Sequence, residues 1–339
     1  MKLWAVAAAF TALGGAMLTA GFLGMRAQAS AESATNALVL AERAAPKPST
    51  PGAAPAPIPA TSAASAVTAV AVAAASVAPA AQTAAAAKDT PATDAPTRVS
   101  FRKTSTYNGA VVYVPSGCQG PYDVVMHFHG AHPYVKDLLE KAQLHAVLAV
   151  FNAGNGAEKY SQAYGAGGTL SSLLRQIELA AAPLCSGADA KPRRVALTAW
   201  SAGYGGVERL LSREEDRDRV DAALLADGLH AGFTDRWKRT LAPNALQAFR
   251  DFGELAKQGK KLFAITHSSI VTDGYASTTE CSRFLLQALN VPCDDALISG
   301  KASAFSIEGF TGNDKAAHIV QFRQMDATLL SKLRARWQP

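Results

Sequence analysis

The chain has 339 residues, of which 49% are hydrophobic, 7% aromatic and 18% charged. Its formal net charge of +6 comes from 33 basic and 27 acidic residues, and the basic ones are scattered along the sequence. Because a nucleic-acid-binding surface needs a basic patch or stripe, composition argues against a nucleic acid as partner. About 240 residues remain after the low-complexity N-terminal part, which suits one large domain and excludes a multidomain enzyme.

The first 29 residues have the pattern of an export signal. Lys2 is followed by an uncharged apolar run from Leu3 to Leu23, and the small-residue sequence Ala27-Gln28-Ala29 comes before Ser30. A basic start, an apolar run and a small-residue cleavage site are typical of a signal peptide. The run is also long enough for an uncleaved membrane anchor. Both alternatives predict an exported bacterial protein, periplasmic or secreted, and the second adds an inner-membrane tether.

Residues 30–97 are predicted to be a disordered linker. They contain 27 alanines and 9 prolines, and they lack Phe, Trp and Tyr. Such a composition cannot bury enough apolar surface to offset chain entropy, and the prolines interrupt helices and sheets. The folded part is therefore predicted to be one domain over residues 98–339.

Strand-like and helix-like patterns alternate along residues 98–339. Apolar and β-branched runs predict strands at 110–114, 123–128, 144–151, 194–199, 220–226, 261–266 and 304–310. Helical periodicity predicts helices at 169–182, 202–212, 279–289 and 316–334. This alternation predicts an α/β fold with a mostly parallel central sheet, helices on both faces, and ligands bound at the carboxyl ends of the strands.

Four cysteines lie in the folded part of the chain, and export makes disulfides the default for them. We predict a Cys118–Cys185 bond, because both residues precede predicted neighbouring strands. A second bond, Cys281–Cys293, is predicted to join a helix to the turn that follows it. Free buried thiols are the alternative.

The segment around Ser201 is the most informative of the sequence. A short apolar strand runs directly into Ser201, and the small residues Ala199 and Gly203 stand two positions before and after it. A nucleophilic serine is held in a strained strand-to-helix turn, where small neighbours avoid steric clashes. Ser201 is therefore predicted to be a nucleophile, and a serine that caps a helix is the alternative.

A serine nucleophile needs a general base. His318 is the preferred candidate, because it lies in a polar loop that turns into a helix just after the last predicted strand. His267, directly after the strand at 261–266, is the main alternative, and His230 is a weaker one.

The base in turn needs a carboxylate that orients it. Asp227 is preferred, because it ends the first strand after the serine helix and is followed by Gly228, which permits a sharp turn. Asp273 and Glu280 are the alternative acids. A further alternative is that Asp227 has only a structural role and caps a turn.

The loop after the strand at 123–128 is predicted to supply backbone donors for an oxyanion. N–H groups of Gly130 and Ala131, together with that of Ala202 beside the serine, can face one carbonyl oxygen. Gly130 lets the backbone approach closely.

The order of these motifs along the chain resembles that of the α/β-hydrolase superfamily of serine esterases and lipases. The motifs are the His129-Gly130 loop, the Ala199–Gly203 turn, Asp227 and His318. The resemblance covers about residues 111–333, and its opening part looks like the secreted polyhydroxyalkanoate-depolymerase and feruloyl-esterase group. It implies an eight-stranded type of sheet, a Ser-His-Asp triad and no cofactor.

The chain departs from that group after Thr266, where the usual acid is absent, which further favours Asp227. The resulting prediction is an exported, monomeric serine hydrolase, a carboxylesterase that acts through an acyl-enzyme on a small or polymeric ester.

Two other functions remain open. His127, His129 and His132 are similar to a metallo-β-lactamase signature with Ala131 in place of its aspartate, so they predict a zinc hydrolase with His230 or His267 as a further ligand. The other alternative is a non-catalytic envelope protein on a hydrolase fold, since a fold does not imply a function.

Overall fold

In the computed structural model of the protein, residues 99–338 are described. The predicted signal peptide at 1–29 and linker at 30–97 lie outside the described residues. No helix within residues 99–338 combines the length and the apolar character that a bilayer crossing requires.

One large sheet and one small hairpin contain the strands of the described residues. The strands are β1 (Phe101–Ser105), β2 (Val111–Pro115), β3 (Tyr122–Phe128), β4 (Val147–Phe151), β5 (Pro192–Trp200), β6 (Ala222–Ala226), β7 (Phe233–Asp235), β8 (Thr240–Leu241), β9 (Leu262–His267), β10 (Gly300–Ala302) and β11 (Phe305–Gly309). The large sheet has the order β1-β2-β4-β3-β5-β6-β9-β11-β10, and β7 pairs with β8.

The centre of the large sheet is parallel. Strands β4, β3, β5, β6, β9 and β11 run in the same direction, each paired in parallel with its neighbour. The outer strands β1, β2 and β10 pair antiparallel. This arrangement confirms the predicted mostly parallel sheet. The short strand β10 brings the described sheet to nine strands, one more than the eight-stranded type that the resemblance implies.

Helices cover both faces of the sheet, as predicted. They are α1 (His132–Lys141), α2 (Ala157–Ala163), α3 (Thr169–Ala181), α4 (Tyr204–Leu211), α5 (Glu214–Arg219), α6 (Gln247–Lys257), α7 (Thr278–Ala288), α8 (Lys315–Arg323) and α9 (Ser331–Trp337). Successive side chains of β6 enter different cores: Leu225 packs with the cluster that contains residues of α3, α4, α6 and α7, and Leu224 packs with residues of α1 and α9. Two cores on opposite faces follow from the two-residue period of a strand.

The predicted terminal helix at 316–334 is interrupted. Helix α8 ends at Arg323, a π-helical turn covers Asp326–Leu330, and α9 begins at Ser331. Within this segment Leu329, Leu330 and Leu333 are all buried. The apolar residues that predict one continuous helix are therefore buried as expected. Their spacing does not reveal the π-helical turn that separates α8 from α9.

One of the two predicted disulfides is present. Cys118 and Cys185 are bonded, with 4.7 Å between their Cα atoms, and the bond joins the segments that precede the adjacent strands β3 and β5. The predicted Cys281–Cys293 bond is wrong, because both of these thiols are free. Cys281 is buried in the first turn of α7, about 10 Å of helical rise before the end of that helix. Cys293 comes after that end, and a disulfide needs Cα atoms within about 7 Å.

Candidate active site

Ser201 occupies a strained turn at the carboxyl end of β5. Its φ of 49° lies in the left-handed region, which a non-glycine residue rarely adopts. A short 3₁₀ turn, Ser201–Gly203, leads from the strand into α4. Gly203 has no room for a side chain, because a Cβ there would lie 2.1 Å from the carbonyl oxygen of Phe128. The serine therefore sits at a tight junction of strand and helix, which is the geometry that activated serines use.

Asp227 also follows a strand directly, and it too has a positive φ, of 43°. The next residue, Gly228, passes so close to the serine turn that a Cβ there would lie 2.4 Å from the carbonyl oxygen of Ser201. The tight turn after β6 therefore packs against the backbone of Ser201 at the same edge of the sheet.

The side chains of His318 and Asp227 are within hydrogen-bond distance of each other at this edge. Nδ1 of His318, in the first half of α8, lies 2.8 Å from Oδ2 of Asp227. Because a carboxylate only accepts hydrogen bonds, Nδ1 carries the proton, and Nε2 of the neutral ring is then an acceptor. This is the tautomer that a general base requires.

The Asp227 carboxylate is buried but well supplied with donors. Its exposure is 4%, and besides His318 it accepts from the Ser268 hydroxyl (2.6 Å) and the Ser268 backbone N–H (3.1 Å). Burial by itself raises the pKa of Asp227, but the hydrogen bonds from His318 and Ser268 outweigh it and hold the pKa below its ordinary value. Asp227 therefore stays ionised at neutral pH.

Trp200 fixes the position of the histidine from the other side. Its ring stacks on that of His318 with 4.9 Å between centroids, and its Nε1 donates to the His318 carbonyl at 3.2 Å. Since Trp200 immediately precedes Ser201, the same strand end positions the serine and the imidazole.

The alternative bases lie elsewhere or make other contacts. His267 is 1% exposed, and its two ring nitrogens contact the backbone carbonyls of Ser268 (2.8 Å) and Ile298 (3.2 Å). His230 lines the cavity beside Ser201, with its Nδ1 3.1 Å from the carbonyl of Ala276. Neither side chain contacts Asp227 by a hydrogen bond in the described part of the chain.

Within residues 99–338, neither alternative acid forms a hydrogen bond or an ion pair with His318. Asp273 is exposed, in the loop before α7. Glu280 is paired with Arg239 through two hydrogen bonds and also caps the first turn of α7 through Ser277. Of the three predicted carboxylates, Asp227 is the one that the structure brings into contact with a predicted base.

The predicted oxyanion donors have different surroundings. The N–H of Gly130 donates to the side-chain oxygen of Asn152 at 3.0 Å, and the Asn152 amide donates back to the Gly130 carbonyl at 3.0 Å. This reciprocal pair corrects the role predicted for Gly130, because its N–H already has an acceptor. Ala202 is the second residue of the 3₁₀ turn and Ala131 precedes α1, so both N–H groups lie at helical starts, which leave donors without helical partners.

The three histidines of the zinc hypothesis do not converge. His127 is fully buried, with Nδ1 2.8 Å from the Thr198 hydroxyl and Nε2 3.2 Å from the His129 carbonyl, and burial lowers its pKa to about 3. His129 contacts the Tyr160 hydroxyl at 2.9 Å, and His132 contacts Tyr113. Within residues 99–338 no three His, Cys, Asp or Glu side chains are grouped so that they could hold a metal ion. The observed donors therefore do not fit the zinc site that the spacing suggests.

Two cavities have Ser201 in their lining. The larger has a volume of about 1280 Å³ and is lined by Ser201, Ala202 and α4 residues including Glu208. The smaller, of about 340 Å³, is lined by Ser201, Asp227 and His318, together with Ile270. Ser201 is therefore accessible from two adjoining cavities.

Two contributing residues were not found from the sequence. Ser268 holds Asp227, and Asn152 holds the Gly130 loop. Both follow strands of the parallel sheet, so their place at the carboxyl edge was an available signal. What the sequence did not supply is the direction of each side chain, which depends on the loop beside it.

No protein-family model matches the chain, and no curated protein matches it either. Solved structures that it resembles include a thermostable esterase from Pseudomonas putida, at 14% identity and a TM-score of 0.37, covering 69% of this chain and 83% of that one. An esterase from Pyrobaculum calidifontis is similar at 12% identity and a TM-score of 0.36, with 70% and 84% covered. Esterase LipW from Mycobacterium marinum gives 14% identity and a TM-score of 0.39, with 71% and 83% covered.

At these identities and TM-scores the likeness does not extend to activity or to site residues. The fold is identified by the chain's own geometry. It has a mostly parallel sheet with helices on both faces, and a serine with a positive φ stands between the central strand β5 and helix α4. The described residues have the α/β-hydrolase fold.

Proposed function

We propose that the protein is a serine hydrolase that cleaves carboxylic esters, with Ser201 as nucleophile, His318 as general base and Asp227 as the carboxylate that orients it. The observation that supports this most directly is that these three side chains line one cavity, with His318 Nδ1 2.8 Å from Asp227. Each of the three stands at the carboxyl edge of the sheet, where α/β folds bind ligands.

In the proposed first half-reaction, Nε2 of His318 takes the proton of the Ser201 hydroxyl as its oxygen attacks the ester carbonyl carbon. The carbonyl π electrons move onto oxygen and form the oxyanion. When the tetrahedral intermediate collapses, the bond to the alcohol oxygen breaks, and that oxygen receives the proton from His318. Ser201 is left acylated.

In the second half-reaction, water replaces the alcohol. His318 removes a proton from the water as it attacks the acyl carbon, and it returns the proton to the Ser201 oxygen as the acid leaves. Asp227, kept ionised by its donors, stabilises the imidazolium that forms twice per turnover. The N–H groups of Ala202 and Ala131 are the proposed donors to the oxyanion.

Labelling with a fluorophosphonate tests the nucleophile. The purified wild-type protein should be labelled and should hydrolyse p-nitrophenyl butanoate, and Ser201→Ala should abolish both. Ser172→Ala is the matched control, because Ser172 is exposed on α3 and lies outside both cavities. Circular dichroism spectra compare the folding of the three proteins.

Labelling that persists in Ser201→Ala contradicts the nucleophile assignment. Activity lost on treatment with a strong chelator supports the zinc hypothesis instead. A wild-type protein that is neither labelled nor active supports the non-catalytic alternative.

Export is proposed from the N-terminal sequence alone. A basic residue, a long apolar run and Ala27-Gln28-Ala29 precede the linker. Expression of the full chain, followed by fractionation and N-terminal sequencing of the product, separates the two forms. A mature N-terminus at Ser30 supports a cleaved signal, an intact chain in the membrane supports an anchor, and an intact cytosolic chain contradicts export.

A further inference from the structure

The larger cavity has a wall that the proposed acyl-transfer mechanism does not use. Helix α4 begins just after the serine turn, and Tyr204 and Glu208, four residues apart, lie on one face of it. Both line the larger cavity, as does His230 on the loop after β6. Tyr275 and His230 also line the smaller cavity, so this wall reaches from Ser201 into both spaces.

Glu208 carries an uncommitted carboxylate on this wall. Within residues 99–338 its side chain accepts no hydrogen bond and forms no ion pair under 4.0 Å. Burial raises its pKa, and the nearby Arg209 only partly offsets that effect. A carboxylate only accepts hydrogen bonds, so on the wall of this open cavity it is available to water or to the donor groups of a bound ligand.

His230 offers a second acceptor. Its Nδ1 is 3.1 Å from the Ala276 carbonyl, and a carbonyl only accepts, so the proton of the neutral ring is on Nδ1. Burial lowers the pKa of His230, which keeps the ring neutral at pH 7. Nε2 is then a bare acceptor, and none of the described residues donates to it.

The remaining surroundings decide which kind of donor fits. The rings of Tyr204 and Tyr275 are both roughly perpendicular to the imidazole, with centroids 5.4 and 5.1 Å away, and so offer apolar surface beside His230. Arg209 lines the same cavity as Glu208, so a cation would meet a positive charge there. Neutral hydroxyl groups on a carbon skeleton satisfy both acceptors without that repulsion.

From this geometry we propose a hydroxyl-recognising subsite, formed by Glu208 and His230 against Tyr204 and Tyr275, that binds the polyhydroxylated part of an ester held at Ser201. This inference rests on the proposed function, because it assumes that Ser201 is acylated. Glu208 and His230 are positioning residues in it: they touch the substrate portion away from the reacting carbonyl.

Two pairs of esters test the subsite. Hexyl butanoate and a glucose monoester of butanoic acid differ in the alcohol, and methyl hexanoate and methyl 6-hydroxyhexanoate differ in the acyl chain. Wild-type kcat/KM should favour the hydroxylated member of at least one pair by about tenfold, since a site built to bind hydroxyl groups discriminates against analogues without them. The pair that is discriminated identifies which half of the ester occupies the larger cavity.

Glu208→Leu and His230→Phe should each reduce that preference to about threefold or less, mainly through the KM of the hydroxylated ester. Glu215→Leu and His145→Phe are matched controls at exposed positions and should keep the wild-type preference. The rate on the plain ester shows that each variant is folded and active.

A wild-type protein that does not discriminate within either pair, or variants that lose both members of a pair equally, would overturn the subsite. Faster hydrolysis of butanoylcholine than of the glucose ester would overturn the choice of a neutral ligand. Absence of hydrolysis of all the esters, or hydrolysis that survives in Ser201→Ala, contradicts the proposed function instead, so the two failures are distinguishable.

Discussion

The ends of two adjacent parallel strands, β6 and β9, present a carboxylate and an imidazole at the same edge of the sheet. After β6, Asp227 adopts a positive φ and turns towards His318. His267, the last residue of β9, stays buried, with both ring nitrogens against backbone carbonyls. Asp227 and His267 thus both stand at the end of a strand. The local backbone conformation decides which of the two side chains reaches the cavity.

The two ends are also connected. Ser268, the residue after His267, donates its hydroxyl and its N–H to Asp227. The segment at the end of β9 therefore supplies hydrogen-bond donors that orient the Asp227 carboxylate and favour its ionised form. Substitutions at the two strand ends should therefore have effects of very different size on the rate.

The largest effect is expected for Asp227→Asn. An amide that replaces the carboxylate cannot stabilise the imidazolium and favours the wrong histidine tautomer, so kcat should fall about 10³-fold or more. Asp273→Asn, at the exposed alternative acid, is the control and should change kcat less than about twofold. Steady-state kinetics with p-nitrophenyl butanoate measure both. An unaffected rate in Asp227→Asn contradicts the assignment of the acid.

The turn after Asp227 is expected to be nearly as sensitive. In Gly228→Ala the new Cβ would meet the carbonyl of Ser201 at 2.4 Å, so the backbone of one turn must shift against the other. Because a displacement of about 1 Å at a reacting group costs about 10²-fold in rate, kcat should fall by that order. Gly232→Ala is the control on the same loop, with nothing within 4 Å of its Cβ. Equal kinetics for the two variants would contradict the close approach.

Ser268→Ala should have a moderate effect. The variant keeps the backbone donor and loses the hydroxyl, which is 2.6 Å from Asp227, so kcat should fall about tenfold. Ser269→Ala, at the next residue and bonded to Gly312 instead, should leave kcat within about twofold. A rate loss shared by both variants would indicate a general disturbance of the loop.

The free energy of unfolding of Ser268→Ala should differ from that of the wild type in its dependence on pH. The folded-state pKa of Asp227 lies below its unfolded value, so its stabilising contribution is present above the unfolded value, about 3.9, and is lost as the pH falls through the folded one. Loss of the Ser268 donor raises the folded pKa towards the unfolded one, so the stabilising contribution of Asp227 becomes smaller and its loss is complete at a higher pH. Urea unfolding between pH 2 and 6 measures it, and superimposable profiles would contradict the role of Ser268.

The smallest effect on rate is expected at His267. His267→Asn removes a buried ring and at least one of its two contacts with carbonyl groups, so the free energy of unfolding should drop by about 1–3 kcal/mol. kcat of the folded variant should change less than about threefold, because the ring does not face the smaller cavity. A loss of kcat as large as that of Asp227→Asn would exchange the roles of the two strand ends.

The sequence predicted the central strands well because β3, β5, β6 and β9 are buried on both faces and appear as uninterrupted apolar runs. It did not predict β1, whose residues are exposed or half-buried. It also did not predict α1, which has Pro133 at its second position, inside a segment that looks like a loop. Helix α6 was also missed, although Phe249, Phe252 and Ala256 share its buried face.

For the site, the strand-to-helix junction at Ser201 was visible in the spacing of small residues. Asp227 and His318 were preferred to their alternatives because of where they follow the predicted strands. The contact between the two side chains could not be derived from those positions. Contacts made by loops escaped prediction for the same reason: the donation from Gly130 to Asn152 and the clash that keeps Gly228 small depend on distances between segments remote in sequence.

The Cys118–Cys185 bond turns a stretch of chain with a sequence separation of 67 residues into a covalent ring. That ring contains β3, the Gly130 loop, α2 and α3, and with them one side of the larger cavity. A protease that cuts one exposed loop in it, such as the glycine-rich segment before α3, leaves both pieces attached to each other. Such a cut is not detected on a denaturing gel until a reductant is added, so the molecule can be cleaved once in this region and remain a single particle.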